Sequence, residues 1–188
     1  GRYTAEESLA YKNNFLDQPV VDIWAYKFKA ILQATYPDFS FPEQKYTVIP
    51  VIDVPMAYEY KLKGIMRTVG GTFKDFFTFK FRRLYERYSV LTGFKRDPLD
   101  NYKYIINKQK ASKYKFVFFF LLGDFSTYDK NINPQKQKFI SLIKHIADYC
   151  KIGIKTSFFA LTNLDLLKEE KTRMEGIINN AIVGSRHS

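Results

Sequence analysis

The stretch KFVFFFLLGDF, residues 115–125, contains the most apolar run of the chain and decides the fold. Seven consecutive residues within it, from Phe116 to Leu122, have no polar side chain. A membrane-spanning helix needs about 20 apolar residues, so this run is too short to cross a bilayer. A lysine-rich segment precedes it and Gly123-Asp124 follows it, which is typical of a strand buried on both faces. We therefore predict that it forms the central strand of a parallel sheet.

Segments on either side of this strand alternate between helical and strand patterns. The other predicted strands are residues 45–54, residues 151–159 and the beginning of 181–188. The predicted helices are residues 57–91 with a break at Gly70-Gly71, 98–110 with Asp97 as N-cap, 134–149 and 164–178. Strands separated by helices form right-handed βαβ units, so the sequence predicts an α/β fold with a mainly parallel sheet. Pro50 cannot donate a ladder hydrogen bond, which places its strand at an edge or at a bulge.

Residues 1–44 are predicted to form a helical lead-in, followed by an α/β domain at residues 45–188. Thr4 and Glu7 have the spacing of a capping box, which favours a short first helix. A second helix is predicted to start after Asp17, a candidate N-cap, and to end at Tyr36-Pro37. Its apolar residues recur at helical spacing and are Val20, Ile23, Trp24, Phe28, Ile31 and Leu32. This pattern predicts a helix with one apolar face.

The net charge of +11 is concentrated in residues 61–96, which contain ten basic and two acidic residues, a net +8. A basic segment of this kind attracts nucleic acid, a membrane surface or an acidic glycan. The predicted contacts to such an anionic surface are Lys61, Arg67, Arg82, Arg83 and Arg87. A solvated face that binds nothing is the commoner explanation of a run of charges.

Aromatic residues alternate with these basic residues in a predicted helical insertion at residues 57–96. The residues that keep helical spacing are Phe73, Phe76, Phe77, Phe81, Leu84 and Tyr88. A basic amphipathic helix can lie on a membrane surface. The commoner explanation is core packing, with the aromatic stripe facing inward and the basic face outward.

Cysteine and histidine are too sparse for several kinds of site. The single cysteine, Cys150, excludes a disulfide framework and a cysteine-based metal site within one chain. His145 and His187 are far apart in the sequence, so a zinc site would need help from carboxylates. The sequence has neither a glycine-rich phosphate loop nor a Gly-x-Ser-x-Gly motif. It also has no signal peptide, transmembrane run or lipidation motif, which favours a cytoplasmic setting.

Polar side chains follow all four predicted strands. They are Asp53 after the first, Asp124 and Asp129 after the second, Lys155, Thr156 and Ser157 after the third, and Arg186 and His187 after the fourth. The carboxyl ends of parallel strands meet at one edge, where ligands bind in α/β sheets. Two carboxylates beside a lysine, an arginine and a histidine can support acid–base chemistry. A polar loop after each strand would give the same pattern without a site, and Asp124 then orders residues 123–134.

Several blocks of this sequence resemble one bacterial group, the polysaccharide deacetylase-like proteins. The blocks are Asp53 followed by Ala57-Tyr58, FFFLLGDFSTYDKN (residues 118–131), GIKTSFF (residues 153–159) and GSRH (residues 184–187). The opening RYTAEESLAYKNNFLDQPVVD, residues 2–22, is similar to the segment that precedes the deacetylase domain in that group. The resemblance covers nearly the whole chain and corresponds to the first half of the deacetylase domain.

The resemblance implies a distorted β/α barrel and the metal-dependent removal of N- or O-acetyl groups from glycans. In active members an aspartate acts as base, while a second aspartate and two histidines bind a divalent metal, usually zinc, which polarises the acetyl carbonyl. Asp53 matches the first aspartate, but Pro55 stands at the second acidic position. Lys155 and Phe159 stand where the family has its histidines, and Arg186 matches a family arginine. The metal-ligand set is therefore not intact, and no metal ligand is predicted.

The resemblance and the basic segment each lead to one hypothesis for the function. In the first, the chain is a deacetylase-like domain with a degraded metal site that acts on a glycan or only binds one. Asp53, Arg186 and His187 are then the candidate catalytic residues, and the candidate substrate-binding residues are Asp124, Asp129, Lys155 and Ser157. In the second, a non-enzymatic domain binds an anionic partner through residues 61–96.

The number of strands bears on both hypotheses. The family barrel needs more strands than the four predicted in this sequence. A partial barrel would expose a broad apolar face, which normally means association. We therefore expect the rest of the barrel to come from a longer protein or from a partner, including a second copy of the chain.

Overall fold

A computed structural model of the chain describes residues 4–42 and 45–187. The chain divides into two compact units, Gly1–Tyr46 and Thr47–Ser188. Within the described residues, no helix combines the length and the apolar character needed to span a membrane.

The N-terminal unit is helical. It contains a 3₁₀ turn, Ala5–Glu7, and two α-helices, α1 (Leu9–Lys12) and α2 (Val20–Thr35). The predicted capping box is present, because the Thr4 amide donates to Glu7 Oε2 at 3.0 Å. The prediction of Asp17 as N-cap is wrong, since α2 begins directly after Pro19. No residue of α2 is buried.

The second unit is built on a parallel sheet, as predicted. Within the described residues the sheet has four strands: β1 (Val51–Val54), β2 (Val117–Leu121), β3 (Lys151–Lys155) and β4 (Ser185–Arg186). Their order in space is the same as in sequence, and every neighbouring pair is parallel. The molecule is therefore an α/β protein, and the central position of β2 confirms the prediction made from its apolar run.

The helices of this unit are α3 (Ile65–Phe77), α4 (Phe81–Leu91), α5 (Tyr102–Ala111), α6 (Gln137–Ala147) and α7 (Leu164–Ile178). Three of them, α5 to α7, contribute side chains to the same hydrophobic core as Phe118, Phe120 and Ile152 of the sheet. Successive side chains along a strand point to opposite faces. Phe119 and Gly153 therefore lie on the face away from this core.

Two predicted strands are shorter in the structure. β1 begins at Val51 rather than at Lys45, and Pro50 lies just before it, where its carbonyl accepts from the Val117 amide at 2.9 Å. The edge position inferred from Pro50 is confirmed, because β1 is an outer strand of the described sheet. β3 ends at Lys155, and a 3₁₀ turn follows at Phe159–Leu161.

The predicted helix break at Gly70-Gly71 is wrong. Helix α3 runs through both glycines, and the chain leaves the helix at Thr78, before Phe79 with its φ of 54°. A β-carbon on Gly71 would lie 2.5 Å from Nη1 of Arg87. The missing side chain of Gly71 therefore leaves room for the Arg87 guanidinium to pack against α3. This close packing, rather than backbone flexibility, explains the glycine.

The predicted role of Asp97 as a helix N-cap is also wrong, because α5 begins only at Tyr102. The Asp97 carboxylate is 2% exposed and accepts four backbone amides. Its Oδ1 accepts from Glu59 at 2.8 Å and Leu99 at 3.1 Å, and its Oδ2 from Tyr60 at 2.8 Å and Lys61 at 3.1 Å. A carboxylate satisfies these donors because it offers acceptors only. We call this arrangement the Asp97 clamp.

Replacing Asp97 by alanine should destabilise the domain by about 3 kcal/mol, because buried amide donors lose a charged acceptor. The measurement is urea unfolding followed by circular dichroism. Asp100→Ala is the matched control, since Asp100 makes only a 4.0 Å ion pair with Lys61 at the surface. The control should cost less than about 1 kcal/mol. Equal losses in the two variants would contradict the structural role assigned to the clamp.

Candidate functional site

Three charged residues from three different strands meet at the carboxyl edge of the sheet. Lys155 Nζ of β3 donates to Asp53 Oδ2 of β1 at 3.0 Å, and Arg186 Nε of β4 lies 4.0 Å from the same oxygen. Lys155 is only 7% exposed, so its charge depends on the carboxylate for compensation. We call these three residues the edge cluster.

The register of the sheet brings the edge cluster together. Asp53 pairs with Phe119 of β2, and Phe119 pairs in turn with Gly153 of β3. A β-carbon on Gly153 would lie 2.4 Å from Cε1 of Phe119, so the aromatic ring covers the glycine. Lys155 comes two residues later on the same face. It therefore lies near the carboxyl end of β2 and reaches the Asp53 carboxylate on the far strand.

One oxygen of the edge cluster lacks a partner. Asp53 Oδ1 is buried and accepts no hydrogen bond within the described residues. Buried carboxylate oxygens are normally hydrogen-bonded, because a lost partner costs the desolvation energy of the group. Asp53 Oδ1 is therefore an unsatisfied acceptor enclosed by protein atoms, while Lys155 and Arg186 balance the charge of the carboxylate.

His187 and Ser157, two predicted site residues, make other contacts. His187 is exposed, and its Nδ1 lies 2.5 Å from Thr156 Oγ1. Ser157 is buried: its amide donates to Glu170 Oε2 at 3.2 Å, and its Oγ accepts from the Ala160 amide at 3.3 Å. His187 lies beside the edge cluster, whereas Ser157 supports the turn after β3.

The two aspartates after β2 are engaged in the loops. The Asp124 side chain is 75% exposed, and its Oδ1 accepts from Arg173 at 3.2 Å. Asp129 Oδ2 accepts from the Phe158 amide at 2.9 Å, which ties the loop after β2 to the turn after β3. The contacts of both aspartates hold the loops in place, which agrees with the alternative that Asp124 orders residues 123–134.

A buried carboxyl group under this edge was missed by the sequence analysis. Glu170 of α7 is 1% exposed, accepts from the Ser157 amide, and has a second buried oxygen without a partner in the described residues. A β-carbon on Gly123 would lie 2.8 Å from that oxygen. Burial raises the pKa of Glu170 above its ordinary value of 4.5. The helical spacing of Glu170 with Met174 and Ile177, both buried, was the signal that could have revealed it.

Replacing Glu170 by glutamine should change how stability depends on pH. Because folding raises the pKa of Glu170, the wild type loses stability as pH rises from 4.5 through the folded-state value. The neutral amide has no such loss. Glu170→Gln should therefore be more stable relative to wild type at neutral pH than at acidic pH, as measured by thermal unfolding at both.

The neighbouring residue supplies the control for this experiment. Glu169 lies on the exposed side of α7 and pairs with Arg173 at 2.8 Å. Glu169→Gln removes the same charge from the surface and should leave the pH dependence close to wild type. A pH-independent difference between Glu170→Gln and wild type would show that Glu170 does not titrate with a raised pKa.

Most of the predicted anion-binding residues have partners within the chain. Lys61 pairs with Asp100 at 4.0 Å and Arg83 with Glu59 at 3.5 Å, both at the surface. The other contacts are those of Arg67 with the carbonyls of Lys130 and Asn131, each at 2.8 Å, and of Arg87 with buried Asp75. Arg82 is exposed and has no ion-pair partner among the described residues. The anionic-surface hypothesis therefore rests on Arg82 and on lysines that the sequence analysis did not select.

The expectation that the aromatic stripe of residues 73–88 packs inward is wrong within this chain. Phe73, Phe76, Phe77 and Phe81 are between 54% and 72% exposed. The buried positions of α3 and α4 are instead Asp75 on α3 and Arg87, Ser89 and Val90 on α4. An ion pair occupies the inner face of these helices, and the phenylalanines lie outside.

A divalent metal does not fit the edge cluster. Lys155 places an ammonium group 3.0 Å from the Asp53 oxygen that a metal would need. Two positive charges at such a distance repel each other strongly in a partly buried site. Elsewhere in residues 4–42 and 45–187, no three histidine, cysteine, aspartate or glutamate side chains are arranged to hold a metal ion.

Comparison with known proteins adds one match, to the N-terminal segment. Residues 1–37 match the model of a family of unknown function (DUF7033). No curated protein and no solved structure matches the chain. The match ends before β1 and therefore covers no residue of the sheet or of the edge cluster.

Proposed function

We propose that the Thr47–Ser188 unit is a polysaccharide deacetylase-like β/α domain that binds an acetylated glycan without hydrolysing it. Two features support the fold assignment. The resembling blocks at residues 118–131, 153–159 and 184–187 each span the carboxyl end of a strand. The strands also follow one another in sequence order, which is the order found in β/α barrels.

The contact between Lys155 and Asp53 is the observation that carries the proposal. The ammonium group stands 3.0 Å from Asp53 Oδ2, where the family would place a cation. A lysine offers the carboxylate a charge and a hydrogen bond, but it cannot polarise an acetyl carbonyl as a Lewis acid does. Lys155 can therefore balance the charge of Asp53 as a metal ion does in the family, but it cannot support hydrolysis of the acetyl group.

The groups around the edge cluster suit a sugar ligand. A sugar that displaces the atoms covering Asp53 Oδ1 would offer this unpaired oxygen a hydroxyl or the N–H of an acetamido group. Tyr128, Phe158 and Phe159 form an exposed aromatic cluster on the loops after β2 and β3, with ring centroids 4.1 Å apart for Tyr128 and Phe158. Small-ligand sites combine such apolar walls with a few directed polar groups.

Calorimetry on the full chain tests this proposal, with an N-acetylglucosamine tetramer and an O-acetylated xylan oligomer as probes. At least one probe should bind saturably, EDTA should leave the affinity unchanged, and no acetate should be released. Asp53→Asn should weaken binding about tenfold, because the amide cannot replace both the ion pair and the free acceptor. Asp124→Asn is the matched control and should bind like wild type, because its carboxylate contacts Arg173 in the exposed loop.

Three outcomes would contradict the proposal. Acetate release that requires added zinc would show that the domain is an active hydrolase. If neither probe binds to a protein with a native circular dichroism spectrum, an acetylated glycan is not the ligand of this domain. A loss of affinity in Asp124→Asn equal to that in Asp53→Asn would move the site away from the edge cluster.

A further inference from the structure

Helices α3 and α4 form a hairpin whose inner face is fixed by polar contacts. Arg87 is paired with buried Asp75, and Thr72 Oγ1 lies 3.2 Å from Tyr88 Oη. The two contacts join residues progressively farther from the connection, as expected for antiparallel helices. The Arg87 guanidinium also lies 5.3 Å from the centre of the Tyr60 ring. The hairpin is thus held in one arrangement before any partner binds.

The end of this hairpin carries a cluster of phenylalanines, which we call the aromatic tip. Its members are Phe73, Phe76, Phe77, Phe79 and Phe81, each between 54% and 79% exposed. Their ring centroids are 5.7 to 6.5 Å apart along a continuous chain of contacts. A phenylalanine buries roughly 150–250 Å² when it is covered, so these rings form a contiguous apolar patch of the size that marks interaction sites.

The charges around the aromatic tip are basic. Lys74, Lys80 and Arg82 are exposed; the two lysines lie between phenylalanines in the sequence, and Arg82 directly follows Phe81. Asp75, the one acidic residue of residues 73–83, points inward and is neutralised by Arg87. Apolar rings surrounded by cations complement a surface that is apolar inside and anionic outside, which describes an anionic lipid bilayer.

The arrangement of the rings favours a lipid surface over a nucleic acid as the partner. Proteins that bind single strands present aromatic faces along a groove, on which successive bases stack. Here Phe76 meets Phe77 and Phe81 edge to face, with interplanar angles of 82° and 85°. The rings pack against one another in a compact apolar cluster where the two helices join, rather than along a groove. Phenylalanine also has no polar group with which to orient a sugar or a base.

We propose that the α3–α4 hairpin docks the domain on an anionic membrane surface by inserting the aromatic tip among the lipids while Lys74, Lys80 and Arg82 contact the headgroups. This docking concerns a different surface from the edge cluster and does not depend on glycan binding. The partner of the aromatic tip in this proposal is a bilayer that contains anionic lipid.

Vesicle co-sedimentation of the full chain tests this docking. Vesicles of phosphatidylglycerol and phosphatidylcholine in equal parts should bind the chain, whereas pure phosphatidylcholine should bind it weakly, and added salt should reduce binding to the mixed vesicles. Lys80→Gln with Arg82→Gln should lower partitioning roughly 30-fold, from the usual contribution of two basic residues near an anionic surface. Phe77→Ser with Phe79→Ser should lower it at least about tenfold even at low salt, because the apolar insertion is lost.

Matched controls distinguish the tip from other exposed residues. Tyr104 on α5 is 62% exposed, and Lys168 on α7 is also at the surface. Tyr104→Ser and Lys168→Gln should sediment like wild type. All variants should keep the circular dichroism spectrum of the wild type, since the substituted side chains lie outside the core.

Several outcomes would overturn the proposal. If neither double variant of the tip changes co-sedimentation, the lipid-binding surface lies elsewhere. If only Lys80→Gln with Arg82→Gln reduces vesicle binding, the phenylalanines do not insert. Salt-sensitive binding to polyuridylate without binding to vesicles would assign the surface to nucleic acid. A dimer that Phe77→Ser with Phe79→Ser converts to a monomer, again without vesicle binding, would show that the tip covers a second copy.

Discussion

The double-sided burial of β2 is the constraint on which the rest of this domain depends. Phe118 and Phe120 are buried on one face of the strand, and Val117 and Leu121 are buried on the other, where Phe119 is partly buried. Helices α5 to α7 cover the first face, and Phe119 lies over Gly153 on the second. Because β2 also needs partners at both edges, β1 and β3 flank it and their carboxyl ends meet at the same edge of the sheet.

The edge cluster follows from this arrangement. Asp53 and Lys155 lie on the face away from the helical core, where a charged group can remain near the rim of the sheet. Neither charge would be stable there alone, because each is at least partly buried. The ion pair therefore compensates both charges for their loss of hydration and leaves one buried carboxylate oxygen, Asp53 Oδ1, without a partner among the described residues.

The sequence predicted the elements whose signals are local. The apolar run of residues 115–125 and the spacing of α7 were sufficient to predict a parallel α/β sheet and a helix ending at Ile178. Contacts between distant segments could not be predicted, because no periodicity encodes them. Asp97 resembled an N-cap although three of its four amide donors lie 36 to 38 residues earlier, and Gly71 resembled a helix breaker although it accommodates Arg87. The edge cluster was predicted in part: Asp53, Lys155 and Arg186 meet, whereas Asp124 turns to Arg173.

The Asp97 clamp also bears on how this protein can change over evolutionary time. It closes the base of residues 62–96 by gripping backbone amides, so the side chains at positions 59 to 61 are not constrained by the clamp itself. The hairpin sequence can therefore vary without opening the clamp. The contacts of Arg83 with Glu59 and of Arg67 with the carbonyls of Lys130 and Asn131 also tie the hairpin to the rest of the domain, so a replacement has to keep or replace them.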